Sequence, residues 1–314
     1  MTALRIGTRA SALATAQASQ VAARLGEHEL VTISSEGDRD RTSPLESIGG
    51  TGVFVSNLRE ALLRGEVDAV VHSAKDLPTA PAEGIELAAV PTRADARDAL
   101  VTPGGLALAA LPEGAHVGTG SPRRQAQLLA ARPDLEVVAI RGNIDTRLGR
   151  LADGDPERRL DAVVLAVAGL SRLGREERHV ALELADWPTA PAQGALAIEI
   201  RADAPDEVRR RVARLEHRPT RLAASAERGV LARLEAGCAA PIGAHAMLED
   251  GLLFLTATVY ALDGTASLTA SHAGYPEDSA DPAAELAERV AAELLERGAA
   301  GLAPLGTAAK GSTP

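Results

Sequence analysis

Cysteine occurs once in the 314 residues, at position 238. A single thiol cannot close an intramolecular disulfide, so a disulfide-stapled scaffold is excluded. Aromatic side chains are also scarce, at 2% of the chain with one Trp, two Tyr and two Phe. The core must therefore be built from Ala, Leu and Val, and there is no aromatic platform on which single-stranded bases could stack. Cations are outnumbered: 33 Lys and Arg stand against 43 Asp and Glu, and a formal net charge of -10 argues against a nucleic-acid partner. Lys75 and Lys310 are the only lysines, and every other cation is arginine. No apolar run reaches the length of a membrane span. Arg5, Arg9 and Gln17 break up the Ala-rich N-terminus, which therefore does not read as a signal peptide. The cytoplasm is the expected compartment. The seven histidines are scattered, with no helical ligand spacing and no partner cysteines, so no metal site is expected.

What remains is an ordinary globular composition, 46% hydrophobic and 24% charged, long enough for two or three domains. Strands are predicted at Leu4–Thr8, Glu29–Ser34, Val67–His72, Asp98–Thr102, His116–Gly118, Glu136–Ile140, Asp161–Val167 and Ala197–Ile200. Between them, helices are predicted from Ser11 as N-cap to about Leu25, and at Phe54–Arg64, Pro122–Ala131 and Ile144–Ala152. The alternation predicts α/β domains, with Ala197–Ile200 returning to the first sheet. Residues 36–52 form a long polar stretch suited to a lid or a disordered loop. Two helical runs, Asp206–Leu215 and Thr220–Leu234, lead to a segment of different character. Ile242–Glu249, Leu252–Leu262 and Thr265–His272 read as antiparallel strands, followed by an amphipathic helix at Ala283–Arg297 and a disordered tail. That segment predicts a small α+β domain.

Two features carry chemistry. Cys238 sits in Gly237-Cys238-Ala239-Ala240-Pro241-Ile242-Gly243, a Gly/Pro loop rather than an element interior, which suits a thiol that carries something covalently better than a packing cysteine. The second is a set of arginines at element ends: Arg9, Arg123, Arg124, Arg141, Arg147 and Arg172. Any one of them alone reads as a solvated surface residue. As a set near the carboxyl ends of strands they read as a cleft for a ligand with many carboxylates, and Arg123 and Arg124 in a helix's first turn oppose its dipole unless an anion is present. Asp76, after an apolar strand and beside Lys75, is the candidate acid–base group, although local sequence also allows a plain turn residue. His72 reads as structural. Gly49-Gly50-Thr51-Gly52 lacks the ending of a phosphate loop and reads as a hinge.

The cysteine loop resembles the cofactor-attachment loop of the porphobilinogen deaminase (hydroxymethylbilane synthase) family. Further stretches match that family in the same order: Arg5-Ile6-Gly7-Thr8-Arg9, Val71-His72-Ser73-Ala74-Lys75-Asp76-Leu77-Pro78, Gly118-Thr119-Gly120-Ser121-Pro122-Arg123-Arg124-Gln125, Leu165-Ala166-Val167-Ala168-Gly169-Leu170 and Ala190-Pro191-Ala192-Gln193-Gly194. The resemblance implies two α/β domains like those of periplasmic binding proteins, with a cleft between them and a small third domain presenting the cysteine. The implied boundaries are 1–94 with 190–214, then 95–189, then 215–300, with 301–314 as a disordered tail. It implies a monomeric transferase of tetrapyrrole and haem biosynthesis that condenses four porphobilinogen molecules onto a dipyrromethane held by a thioether to Cys238 and releases hydroxymethylbilane by hydrolysis.

By the same resemblance Asp76 would stabilise the cationic azafulvene left on ammonia loss and assist proton transfers. Lys75, Asp76, Thr119, Ser121, Arg123, Arg124 and Arg141 would hold the cofactor. Arg9, Ser11, Gln17, Phe54, Arg141, Arg147 and Arg172 would position the incoming pyrrole and the growing chain. The sequence departs from the usual pattern at Ser47 and Thr51, where the family commonly has lysines, at Gly120 in place of Ser and at Pro122 in place of Leu. Two rival classes remain: a non-catalytic dicarboxylate-binding protein of the same fold, and a thiol hydrolase, for which only His245 lies close in sequence to Cys238.

Overall fold

Three runs, Ala69–Ser73, Asp98–Val101 and Leu196–Arg201, are buried along nearly their whole length, as strands in the middle of a helix-covered sheet must be. The computed structural model describes residues 3–33, 52–175, 177–236 and 240–305, without the side chains of residues 52–54. The long loop predicted at residues 36–52 lies outside that description except for Gly52. In chain order the first elements are β1 (Leu4–Thr8), α1 (Ala12–Ala22), β2 (His28–Thr32), α2 (Gly52–Leu63), β3 (Ala69–Ser73) and β4 (Ile85–Ala89). Next come β5 (Asp98–Val101), β6 (His116–Thr119), α3 (Pro122–Ala131), β7 (Glu136–Ala139), α4 (Ile144–Gly149), β8 (Ala162–Ala166), α5 (Val167–Arg172) and β9 (His179–Leu182). The last are β10 (Leu196–Arg201), α6 (Asp206–Ala213), α7 (Arg218–Arg233), β11 (Ile242–Glu249), β12 (Leu252–Tyr260), β13 (Ser267–Gly274) and α8 (Pro282–Glu296).

The chain divides into two compact units, residues 1–94 with 194–221 and residues 95–193 with 222–314. The first holds a five-stranded sheet in the order β2-β1-β3-β10-β4, with β1 parallel to β2 and β3, and β10 antiparallel to both of its neighbours. The second repeats that plan as β7-β6-β8-β5-β9, with β6 parallel to β7 and β8, and β5 antiparallel to both of its neighbours. In each unit the antiparallel strand follows directly on a crossing of the chain, β5 after Ala94 and β10 after Gln193. This is the α/β class predicted, with Ala197–Ile200 lying in the first sheet inside β10. The edge strands β4 and β9 are additions: their burial is partial and hardly alternates, so no periodicity marks them.

The second unit also holds the antiparallel meander β11-β12-β13, with α8 packed against β12 and β13. Asp250 (φ 49) and Gly251 (φ 80) make the first hairpin turn in the left-handed region, as the predicted Asp-Gly turn requires. At the second turn a Cβ on Gly264 would lie 2.5 Å from the Ala130 nitrogen, so glycine is what lets this hairpin rest on the backbone of α3. The packed chain continues beyond Gly298. Ala299 and Ala303 are buried with Leu286, Val290 and Leu294, where the sequence predicts a disordered tail.

The first sheet buries a carboxylate. Glu199 of β10 accepts a fork from Arg59 of α2 at 2.9 and 2.6 Å, and His72 Nε2 of β3 stands 3.2 Å away. Burial opposes the charge, but hydrogen bonds from His72 and Arg59 outweigh it and hold the carboxyl at about 2. His72 is thus engaged in the sheet, in keeping with its structural reading. A depressed carboxyl stabilises the fold above its unfolded pKa and loses that contribution as pH falls through its folded one. The window therefore runs from about pH 4.5 down to about 2. Glu199→Gln should cost about 3 kcal/mol near neutrality and flatten the loss of stability across that window. Urea denaturation of both proteins at pH 7 and at pH 3 checks it, and equal differences at the two pH values would remove the ionic role.

Candidate functional site

On the first unit, the carboxyl ends of β1 and β3 converge on one small pocket of about 80 Å³, lined among others by Arg9, Ser11, Gln17, Ser73 and Asp76. Local chemistry sets the parts. Ser11 caps α1, its hydroxyl accepting the Ala14 N–H at 3.3 Å. Gln17, buried one and a half turns later, donates to the Ser73 hydroxyl at 2.8 Å and so ties α1 to the end of β3. Beyond Ser73 the strand closes into the short 3-10 turn Ala74–Asp76, which leaves Lys75 and Asp76 half-buried. Four of the predicted residues, Arg9, Ser11, Gln17 and Asp76, therefore share one cavity wall. Two of them, Ser11 and Gln17, spend polar atoms on holding it.

On the second unit, Arg123 and Arg124 do meet an anion, and it belongs to the protein. Asp98, the first residue of β5, has no exposed surface and receives four donors. Its Oδ1 accepts Arg124 Nη2 at 2.6 Å and Gln193 Nε2 at 2.8 Å, and its Oδ2 accepts Arg123 Nη1 at 3.0 Å and Trp187 Nε1 at 3.0 Å. Burial alone would raise this carboxyl, yet the charges of Arg123 and Arg124 hold it far below the usual range. Arg123 also donates to Gln127 Oε1 at 2.6 Å and Arg124 to the Val164 carbonyl at 3.0 Å. Two guanidiniums thus face one carboxylate, and the cluster keeps a surplus positive charge. Burial and then the like charge of Arg124 push Arg123 down against the pull of Asp98. The Nε of each arginine is buried with no hydrogen-bond partner among the described residues.

The predicted hydroxyls build the turn that presents this pair. Thr119, at the end of β6, accepts the Ser121 N–H at 3.2 Å, and Ser121 caps α3 by accepting the Arg124 N–H at 3.4 Å. Arg141 follows β7 and is exposed. Arg147, on α4, is fixed by Nε donation to the Gly142 carbonyl at 2.9 Å. Burial and the nearby charge of Arg124 lower Arg147, and burial lowers Arg172 at the end of α5. Cations disfavoured by their own surroundings gain from any carboxylate brought to them. Cys238, Ser47 and Thr51 lie outside the described residues, as does the side chain of Phe54 on α2.

Sequence reasoning missed Asp98, Gln193, Gln127 and Trp187. Asp98 had a signal, since a lone acid heading the run Asp98-Ala99-Leu100-Val101 is buried with it and must then be paired. Gln193 lies in a matched motif but had no role.

A family profile described as "Porphobilinogen deaminase, dipyromethane cofactor binding domain" matches residues 4–230, and one described as "Porphobilinogen deaminase, C-terminal domain" matches residues 221–296. The chain is 58% identical over 286 residues to "Porphobilinogen deaminase" of Leifsonia xyli subsp. xyli, covering 88% of this chain and 85% of that one. It is 55% identical over 274 residues to the protein of the same name from Thermobifida fusca, covering 85% and 84%. Among solved structures, a marine metagenome TRAP solute binding protein aligns at TM-score 0.38 and 11% identity over 73% of this chain and 80% of its own, a likeness too slight to carry an argument.

The Asp98 cluster makes a direct prediction. Asp98→Asn keeps the volume but leaves two buried guanidiniums without their anion, and should destabilise the protein by about 3–5 kcal/mol. Chemical denaturation measures it, and a loss below about 1 kcal/mol would mean that the arginines do not depend on Asp98.

Proposed function

Because the chain belongs to the porphobilinogen deaminase family, we propose that Asp76 is its acid–base and electrostatic group and that Cys238 carries its dipyrromethane. The activity is a transferase reaction in which porphobilinogen molecules are condensed head to tail with loss of ammonia, and hydroxymethylbilane is then released by hydrolysis. The observation that carries the reading of the site is the charge imbalance on α3: two buried guanidiniums share one carboxylate and keep Nε–H groups unengaged. A group bearing several carboxylates fits such a cluster. The dipyrromethane supplies a free pyrrole α-carbon as the starting end for condensation. Arg123 and Arg124 would hold its carboxylates, with Thr119 and Ser121 fixing the turn that presents them, and with Lys75 and Arg141 adding cations.

Around the pocket of the first unit, Arg9, Ser11 and Gln17 would orient the incoming porphobilinogen, with Phe54 on α2. Arg141, Arg147 and Arg172 would take acetate and propionate groups of the chain as it lengthens. Ammonia loss leaves positive charge on the substrate pyrrole, and a carboxylate at Asp76 supplies the counter-ion at fixed geometry. The same carboxylate can accept the proton released as each new bond forms. The net charge of -10 and the lack of a long apolar run favour a cytoplasmic enzyme without nucleic-acid or membrane partners, and the family resemblance favours a monomer. A dicarboxylate-binding protein of the same fold would need the arginines but no covalent group.

Intact mass separates the two readings. The purified chain should be heavier than its sequence by one dipyrromethane, and Cys238→Ser should fold without that mass and without activity. Full activity of Cys238→Ser would remove the thioether assignment.

Asp76 is tested by two variants that separate charge from position. Asp76→Glu keeps the charge but moves it by about one C–C bond, and a misplacement of about 1 Å costs about a hundredfold in rate. Asp76→Asn keeps the size and loses the charge, so it should be slower still while retaining the cofactor mass. Turnover of the Asn variant at the wild-type rate would reduce Asp76 to a turn residue.

A further inference from the structure

Asp98 is shared in an unusual way. An ionised carboxylate offers about four acceptor positions, two per oxygen. A guanidinium left to itself takes two of them with a parallel fork of N–H groups. Neither Arg123 nor Arg124 does so. Each reaches one oxygen through one terminal nitrogen, because the second position on Oδ1 is taken by Gln193 and that on Oδ2 by Trp187. We propose that Trp187 and Gln193 are positioning residues for primer binding: they occupy one acceptor position on each oxygen of Asp98, hold each arginine to a single bond with Asp98, and leave guanidinium N–H groups for the carboxylates of the dipyrromethane.

Both neutral donors are built in firmly. Trp187 is buried with Leu100, Leu128 and Val164, and its backbone N–H reaches the Glu183 carbonyl at 2.8 Å. Gln193 Nε2 also donates to the Ala96 carbonyl at 2.9 Å, which fixes its amide against the start of β5. The turn before it is pinned from outside. Ala192 sits at φ 63, a region that non-glycine residues seldom occupy, and its N–H is held by the fully buried Glu227 carboxylate of α7. The other Glu227 oxygen accepts the Ala246 N–H of β11 at 2.7 Å. A two-armed acid on α7 thus holds the turn that aims Gln193. Removing either neutral donor opens an acceptor position, and the adjacent arginine can then close its fork on Asp98. That guanidinium is lost to the ligand, while the fork's second bond replaces the one deleted at Asp98.

This proposal rests on reading Arg123 and Arg124 as carboxylate-binding groups, and the test keeps the two apart. Trp187→Phe retains an aromatic ring and deletes only the indole donor, and Gln193→Met retains length without the amide. The full-length chain is produced without porphobilinogen and then given porphobilinogen, and the gain of the dipyrromethane mass is followed in time. Both variants should melt within a few degrees of wild type yet assemble the primer about tenfold more slowly, the loss expected of one misdirected charge-assisted hydrogen bond. Trp187 is the only tryptophan. Its emission should therefore shift when wild type assembles its primer, and should already differ in Gln193→Met before assembly. Assembly at the wild-type rate in both variants would overturn the proposal, as would a slowing that merely tracks a large fall in melting temperature. Arg124→Leu is the reference. If it assembles the primer normally, the carboxylate reading itself fails. If it is blocked while both variants assemble as wild type, only the positioning role fails.

Discussion

A carboxylate with no exposed surface constrains everything within hydrogen-bond reach of it. Asp98 is such a group, and taking it out of water costs several kcal/mol that only charged, well-directed donors can offset. The surroundings are arranged accordingly. Strand β5 begins where the chain enters the second unit, α3 brings two arginines in its first turn, and the segment before β10 brings Trp187 and Gln193. The C-terminal domain joins the same network, since Tyr260 of β12 meets Gln127 at 3.2 Å, and Gln127 holds Arg123. The glycine at the β12–β13 turn rests on the backbone of the same helix. The placement of the arginine pair is therefore a property of the whole second unit.

The first unit gives an internal comparison. Its antiparallel strand β10 occupies the place that β5 holds in the other sheet, and it too carries a buried acid met by an arginine from a helix. There the arginine closes a full fork, with Arg59 Nε at 2.9 Å and Nη2 at 2.6 Å from Glu199. His72 Nε2 stands 3.2 Å from the same carboxylate. A closed fork commits the guanidinium to the fold. The split arrangement at Asp98 commits only part of each guanidinium and retains surplus charge. Two related frameworks thus use the same chemistry in opposite ways: one arginine closes its fork on the sheet's acid, and two share one carboxylate and keep a buried Nε without a partner among the described residues.

How much of this was legible in the sequence depends on how far each effect reaches along the chain. Caps are local, so Ser11, Ser121 and Pro122 announced the starts of α1 and α3 correctly. Central strands are continuous apolar runs, and β8 and β10 were plain. Of the four edge strands of the two five-stranded sheets, β2 and β7 were predicted, but β4 and β9 were not, since neither carries a clean alternation of buried and exposed positions. Arg123 and Arg124 were legible as cations wanting an anion, but the first anion they meet lies 25 and 26 positions earlier. The apolar run that Asp98 heads marks it as an acid in need of a partner, but nothing local says which cations supply it. Gln193 was visible only as part of a matched motif, because an amide's role is set by what it touches.

The departures from the family's usual residues around α3 belong to the same constraint. A Cβ on Gly120 would lie 2.6 Å from the Ile140 carbonyl oxygen, a separation that no rotamer can relieve because the neighbour is backbone. The turn from β6 into α3 is therefore drawn close against the end of β7, and glycine permits it. Pro122 then occupies the first turn of the helix, where its fixed φ suits the backbone and its missing N–H has no helical partner to lose. Thr119 and Ser121, on either side of Gly120, keep their capping bonds. The two altered positions act on the course of the main chain, and the unaltered ones fix the direction in which Arg123 and Arg124 leave it. Main-chain course and capping bonds together bring the two guanidiniums to opposite oxygens of Asp98.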